Sequence, residues 1–207
     1  MTVTQAPTPA ELSPTVAWSQ RVRKVGGFIQ LAFAAFWLVR GGMSVTGVAG
    51  TSLAAAGLLV SVAVLAYAVR ATKGIGGRPT SAAAKLIERS VTIATIIELV
   101  ASFGFPVIVV AAGHSDWVLP SIAITIGPLL LWLDHVVDIP RLRPIGWALT
   151  VVPFILVAAL SGSTLAAATG LGAGVMLLGT AAAGFHDLAV LRLPGLRGPR
   201  VNVRLLP

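Results

Sequence analysis

The 207-residue chain contains no cysteine. That removes disulfides, thiolate-ligated zinc, iron–sulfur clusters and any cysteine nucleophile. Tyrosine occurs once, and aromatic residues make up 6% of the chain, too few to build stacking platforms for nucleic acid. Charge is also scarce: 11% of residues are Asp, Glu, Lys or Arg, about half the share in an average soluble domain. Polar alternation is missing as well. The apolar runs are continuous and rich in Ala and Leu, which argues against the strands of an outer-membrane barrel.

What the chain does have is apolar length. Hydrophobic residues make up 56% of it, and the mean hydropathy is +0.92. A helix needs roughly 20 mostly apolar residues to cross a hydrocarbon core of about 30 Å. Six segments qualify: 25–43, 51–69, 91–112, 118–137, a short one at 145–160, and 165–185. The expected fold is therefore all-α, a polytopic bundle of six transmembrane helices. Residues 1–24 are expected to form a disordered cytoplasmic tail, 25–187 the transmembrane domain, and 188–207 a basic cytoplasmic tail. The first span reads as retained rather than as a cleaved signal. The segment before it contains Glu11 and is rich in Thr, Ser and Pro, unlike a compact secretory leader.

The net charge of +8 is explained by where the basic residues fall. Arg21, Arg23 and Lys24 precede the first span, and Arg70, Lys73, Arg78, Lys85 and Arg89 join the second to the third. Arg141 and Arg143 lie between the fourth and fifth, and Arg192, Arg197, Arg200 and Arg204 follow the sixth. Every basic residue except Arg40 thus falls on one side of a six-span bundle. Basic connections stay cytoplasmic, which puts both termini inside. Arg40 reads as snorkelling to the outer headgroups, or as pairing with Asp116. Arginine outnumbers lysine, and Ala, Gly and Val are abundant, a composition associated with high-GC bacterial genomes. The expected location is a bacterial plasma membrane.

Ionisable groups within a span carry a cost and ask for a reason. Glu98 lies about 10 Å into the third span at about 1.5 Å of rise per residue. An ionised carboxylate is disfavoured there, so Glu98 calls for a proton or a cation, and either use makes it a candidate for proton transfer. A neutral acid tying two helices together is the structural alternative. Asp134 and His135 end the fourth span, with Asp138 one turn on, and His186 and Asp187 end the sixth. Tyr67 closes the second span and Gln30 lies in the inner part of the first. These groups share a depth near the basic end. If their faces converge they form a cytoplasm-facing polar pocket. If not, they are interfacial helix ends, with Asp187 paired to Arg192 and Asp138 to Arg141.

Two further chemistries were weighed. His135, Asp138, His186 and Asp187 have the ligand types for zinc, manganese or iron, but no HExxH or Glu-x-x-His spacing supports a metal. Ser161 and Ser163 lie at the opposite end of the sixth helix from His186, roughly 35 Å away at helical rise, so they are not a catalytic pair. Gly170 and Gly174, with Ala54 and Gly57, permit close helix approach within the chain or in a homo-oligomer. Pro106, Pro128 and Pro153 predict kinks near mid-membrane. Short internal similarities, such as Trp37–Arg40 with Trp132–His135, do not extend into a repeat.

Three function classes follow. The first is a cofactor-free acid/base enzyme, an isomerase, cyclase or hydrolase, acting on a lipid-soluble substrate from the cytoplasmic side. It would use Glu98, Asp134 and His135 as catalytic groups, and Gln30, Tyr67, His186 and Asp187 to bind substrate. The second is a proton-linked transporter or channel subunit, and the third a non-catalytic scaffold subunit. The concentration of polar groups at one end favours the first. Lipid and a lipophilic small molecule are the expected partners, nucleic acid is not, and no cofactor is implied.

Overall fold

A computed structural model of the protein describes residues 9–75, 82–137, 139 and 141–190. Among these residues the architecture is all-helical. It comprises α1 (Pro9–Met43), α2 (Gly47–Ala71), α3 (Ala82–Ala111), α4 (Val118–Val137), α5 (Leu142–Ala159) and α6 (Gly162–Val190), with a single 3-10 turn (Ser115–Trp117) leading into α4. Each of the six helices contains a stretch long and apolar enough to cross a membrane, as expected of a multi-pass membrane protein.

Two helices run past the expected boundaries. α1 begins at Pro9, so residues 9–24 are helical where their Thr, Ser and Pro content predicts an unstructured extension. A proline fits at a first helical position because the N–H it lacks has no intrahelical partner there. α3 begins at Ala82, nine residues before the expected start of the third span. Arg192 and the rest of the expected basic tail beyond Val190 lie outside the described residues.

α1 and α6 form the most extensive interface, and α2 packs on both. On the other side α4 packs on α5 and α3 on α4, and α6 reaches α4 and α5 to join the halves. The α1–α6 seam is set by glycine. A Cβ added to Gly170 would sit 2.5 Å from the Cα of Gly41, and one on Gly41 would sit 2.5 Å from the backbone N of Leu171. Gly174 and Gly57 each receive the side chain of Leu38, and Gly42 lies against the backbone of Ala54. The expected small-residue faces are thus used inside the chain, where dispersion between closely spaced backbones replaces the hydrophobic drive that lipid cannot supply.

Helices α4 and α5 meet through a second small-residue contact, with Gly127 facing Gly146 and Thr150. α3, α4 and α5 continue through Pro106, Pro128 and Pro153 respectively. The centre of the bundle is a cluster that includes Ala34, Trp37, Leu119, Ala123, Leu149 and Ala173, drawn from α1, α4, α5 and α6.

α3 is built in the opposite sense to a helix of a soluble protein. Ile97, Val100, Phe103, Val107 and Ile108 are exposed, while Glu98 and Ser102 are its only buried residues among those described. Where the solvent is lipid, apolar side chains face out and the polar stripe seeks protein.

Candidate intramembrane site

The contacts at the helix ends define two faces of the bundle. Lys24 Nζ donates to the carbonyls of Thr72 (3.3 Å) and Ile75 (3.0 Å), tying the middle of α1, at the start of its apolar stretch, to the end of α2. A lysine ammonium there meets carbonyls without helical donors and the negative end of the helix dipole. Arg141 and Asp187 join the start of α5 to the end of α6 by two contacts, Nη1–Oδ2 at 2.6 Å and Nη2–Oδ1 at 3.1 Å. Arg143 Nε donates to Asp134 Oδ2 at 2.8 Å. At the opposite face the N–H of Gly162 donates to Asp116 Oδ2. Asp116 therefore serves the start of α6, and Arg40 is exposed.

Near the basic face the bundle encloses a cavity of about 390 Å³, lined from α1, α3, α4, α6 and the segment leading into α5. Its body is apolar, with Ile29, Phe33, Leu99, Ile126, Leu130 and Leu177 in the wall. Its polar groups are Arg21, Arg23, Gln30, Thr92, Thr95, Glu98, Arg141, Thr180 and Asp187. Along α1 the lining ends at Phe33, and Ala34 and Trp37 beyond it are fully buried in the central cluster. α1 and α3 line the cavity from two sides and share no extensive interface among the described residues.

Glu98 is 7% exposed, and its carboxyl is held by the Ser102 hydroxyl, with no cation paired to it among the described residues. Ser102 Oγ lies 2.8 Å from Glu98 Oε1 and 2.8 Å from Thr125 Oγ1 on α4, and Thr125 Oγ1 lies 2.8 Å from the carbonyl of Ile122. This row has three hydrogen-bonding contacts, and its two hydroxyls supply one proton each. With Glu98 ionised, Ser102 donates to it, and Thr125 must choose between Ser102 and Ile122. With Glu98 protonated, all three contacts form at once, running from Glu98 to Ser102, to Thr125, to the Ile122 carbonyl. Pro106 and Pro128 also lack the N–H groups that would serve the carbonyls of Ser102 and Ile124, which adds acceptors to the same neighbourhood.

The seven residues singled out from sequence separate into two sets. Glu98, Gln30 and Asp187 line the cavity. Asp134 does not: it is 4% exposed and turns toward α5, where Arg143 takes one carboxylate oxygen and leaves Oδ1 buried without a partner among the described residues. His135 is exposed and outside the lining. Tyr67 and His186 face each other on an exposed side of α2 and α6, Tyr67 Oη to His186 Nδ1 at 3.4 Å. Helix phase is the reason. The lining of α6 runs Leu177, Thr180, Ala181, Gly184 and Asp187, and a neighbour such as His186 is turned about 100° away.

Asp187 pairs with Arg141, while Arg192, its expected partner, lies outside the described residues. Asp138, named as a ligand type and as a partner for Arg141, lies outside the described residues. Among those residues no three of His, Asp and Glu come together in a way that could hold a metal ion. Sequence reasoning missed Ser102 and Thr125, assigned Arg21 and Arg23 to topology alone, and gave Arg141 to topology or to Asp138. The signal for Ser102 was present: Thr95, Glu98 and Ser102 follow at helical spacing along one stripe of α3. No known protein family, curated protein or solved structure matches the chain.

Proposed function

We propose that this multi-pass membrane protein is an enzyme of a bacterial plasma membrane, taking a lipid-soluble molecule into its intramembrane cavity for proton-transfer chemistry at Glu98. The observation that carries this reading is a buried acid in the wall of a largely apolar cavity of about 390 Å³, with a hydroxyl partner and, among the described residues, no counter-ion. The volume lies within the ~300–1,000 Å³ usual for small-molecule sites. A protonated carboxyl at that depth gives its proton to one atom of the substrate. The resulting carboxylate then removes a proton from another atom, so the protein returns to its starting state and the product is an isomer. Gln30 orients the substrate from α1.

Asp134 and His135 have no catalytic part in this proposal, and Tyr67, His186 and the Asp187–Arg141 pair hold helix ends. The distribution of basic residues supports cytoplasmic termini, and on this reading the cavity lies in the inner leaflet. The packed cluster around Trp37 beyond Phe33 favours a one-sided site over a path through the bundle.

Untargeted lipid and metabolite profiling of a producing strain, with wild type against Glu98→Gln, tests the proposal. The expected result is one species accumulating and an isomer of equal mass disappearing. An unchanged profile, or proton flux in proteoliposomes that Glu98→Gln abolishes, overturns the enzyme reading, and the flux would establish transport.

A further inference from the structure

Two glycines in the cavity wall have no part in the packing of the bundle. We infer that Gly26 on α1 and Gly184 on α6 set the width of the molecule the cavity admits, its bulkiest part lying between them. The inference rests on the cavity being a binding site and names what limits its occupant. Both glycines line the cavity, and both lie inside helices. Glycine in a helix is less favourable than alanine, because it loses more backbone freedom and adds no side chain to pack. Two structural reasons ordinarily keep it there: a left-handed backbone, or a neighbour too close for a Cβ. Neither applies here. Both residues stand apart from the glycines of positive φ, and a Cβ built on either meets nothing within 4 Å.

The adjoining residues give the contrast. A Cβ on Gly27 would sit 2.9 Å from the ring of Phe185, so this glycine is taken up by the α1–α6 seam. The same contact sets Gly26 and Gly184 at nearly one depth, since each directly precedes one of the two residues that touch. Neighbours on a helix diverge by about 100°, so Gly27 and Phe185 close the seam while Gly26 and Gly184 turn to the cavity. Further in, the wall is made of large side chains, among them Phe33, Ile126, Leu130 and Leu177. Bare backbone on two helices toward the basic face, and bulky side chains at the deep end, fit one shape of occupant. It is a lipid-soluble molecule with its broader end between the glycines and a slimmer apolar end toward Phe33. Steric width of this kind does not depend on the charge of any group in the wall.

Lipid and metabolite profiling of producing strains, with unfolding of the purified variants in mixed micelles, tests this with Gly26→Leu and Gly184→Leu beside Glu98→Gln. Gly179→Leu is the control. A Cβ there also meets nothing within 4 Å, but the residue is exposed and outside the lining. All three leucine variants are expected to unfold at or above the wild-type temperature, because each side chain has room. Gly26→Leu and Gly184→Leu are expected to deplete the product isomer about tenfold or more, as a misfitting group in a shaped pocket does. Alanine at the same positions is expected to deplete it less, and Gly179→Leu to leave it at the wild-type level. Folded Gly26→Leu and Gly184→Leu with wild-type profiles overturn the inference. The enzyme reading then still stands if Glu98→Gln alters the profile. Unfolding of either cavity variant also overturns it, since the space would then belong to the fold. An altered profile in both cavity variants, with none in Glu98→Gln, supports the inference and removes the proton-transfer reading instead.

Discussion

Glu98, Ser102 and Thr125 share three contacts and two hydroxyl protons, so the charge on Glu98 and the direction of the row are one question. The protonated form satisfies every contact. After Glu98 gives up its proton, rotation of the two hydroxyls turns the row around, so that Thr125 donates to Ser102 and Ser102 to the carboxylate. Charge-assisted bonds are about twice as strong as neutral ones, which offsets the bond lost at Ile122. The row can thus serve both states of the acid, as the proposed proton transfer requires. If Glu98 is the proton donor of the proposed reaction, infrared difference spectra of the protein in lipid are expected to contain a carboxyl C=O band that Glu98→Gln removes. Thr125→Val is expected to shift that band without abolishing it, and Thr125→Ser to restore it. A wild-type spectrum lacking the band would mean that Glu98 is ionised at rest and accepts a proton before it donates one.

At the scale of the element, the spans were legible because hydrocarbon imposes a length, and α4 occupies the same residues, Val118–Val137, that hydropathy marks. The site was legible only in part, for a reason visible in α6. His186 and Asp187 are adjacent in sequence and at one depth, but adjacent residues diverge by about 100° around a helix, so one faces α2 and the other the cavity. Depth can be counted from sequence, whereas which stripe faces which neighbour depends on packing between helices. That packing is set by glycine. Gly170→Ala places a methyl group 2.5 Å from the Cα of Gly41, closer than a Cβ can sit, so one of the two backbones must shift. The expected cost is about 1–3 kcal/mol, the range for overpacking. Gly172→Ala, two residues along the same helix, meets nothing within 4 Å. It is expected to be neutral or to gain up to ~1 kcal/mol from helix propensity. Unfolding of both variants in mixed micelles checks the pair. Equal stability would mean that the α1–α6 seam is looser than its glycines imply.

For the whole molecule, two properties must agree if the cavity is to meet its substrate in the inner leaflet. The helix ends must sort into two faces, and the basic face must be the inner one. The first is carried by Lys24 on the end of α2 and Arg141 on the end of α6 at one face, and by Asp116 on the start of α6 at the other. The second rests on the positive-inside rule, which acts through short loops and so applies to connections of this length. The absence of cysteine makes both testable with single introduced thiols and a membrane-impermeant maleimide. Thr46→Cys, Ser115→Cys and Ser163→Cys replace exposed residues between α1 and α2, before α4 and at the start of α6. These thiols are expected to react in intact cells. Lys73→Cys and Pro144→Cys, also at exposed positions, are expected to react only after permeabilisation. A complete reversal would leave the bundle intact but turn Arg21, Arg23 and Arg141 to the outer leaflet, so that the substrate would come from outside. A mixed result, with Ser163 reacting like Lys73, would break the alternation of spans and, with it, the common depth that brings α1, α3 and α6 to one cavity.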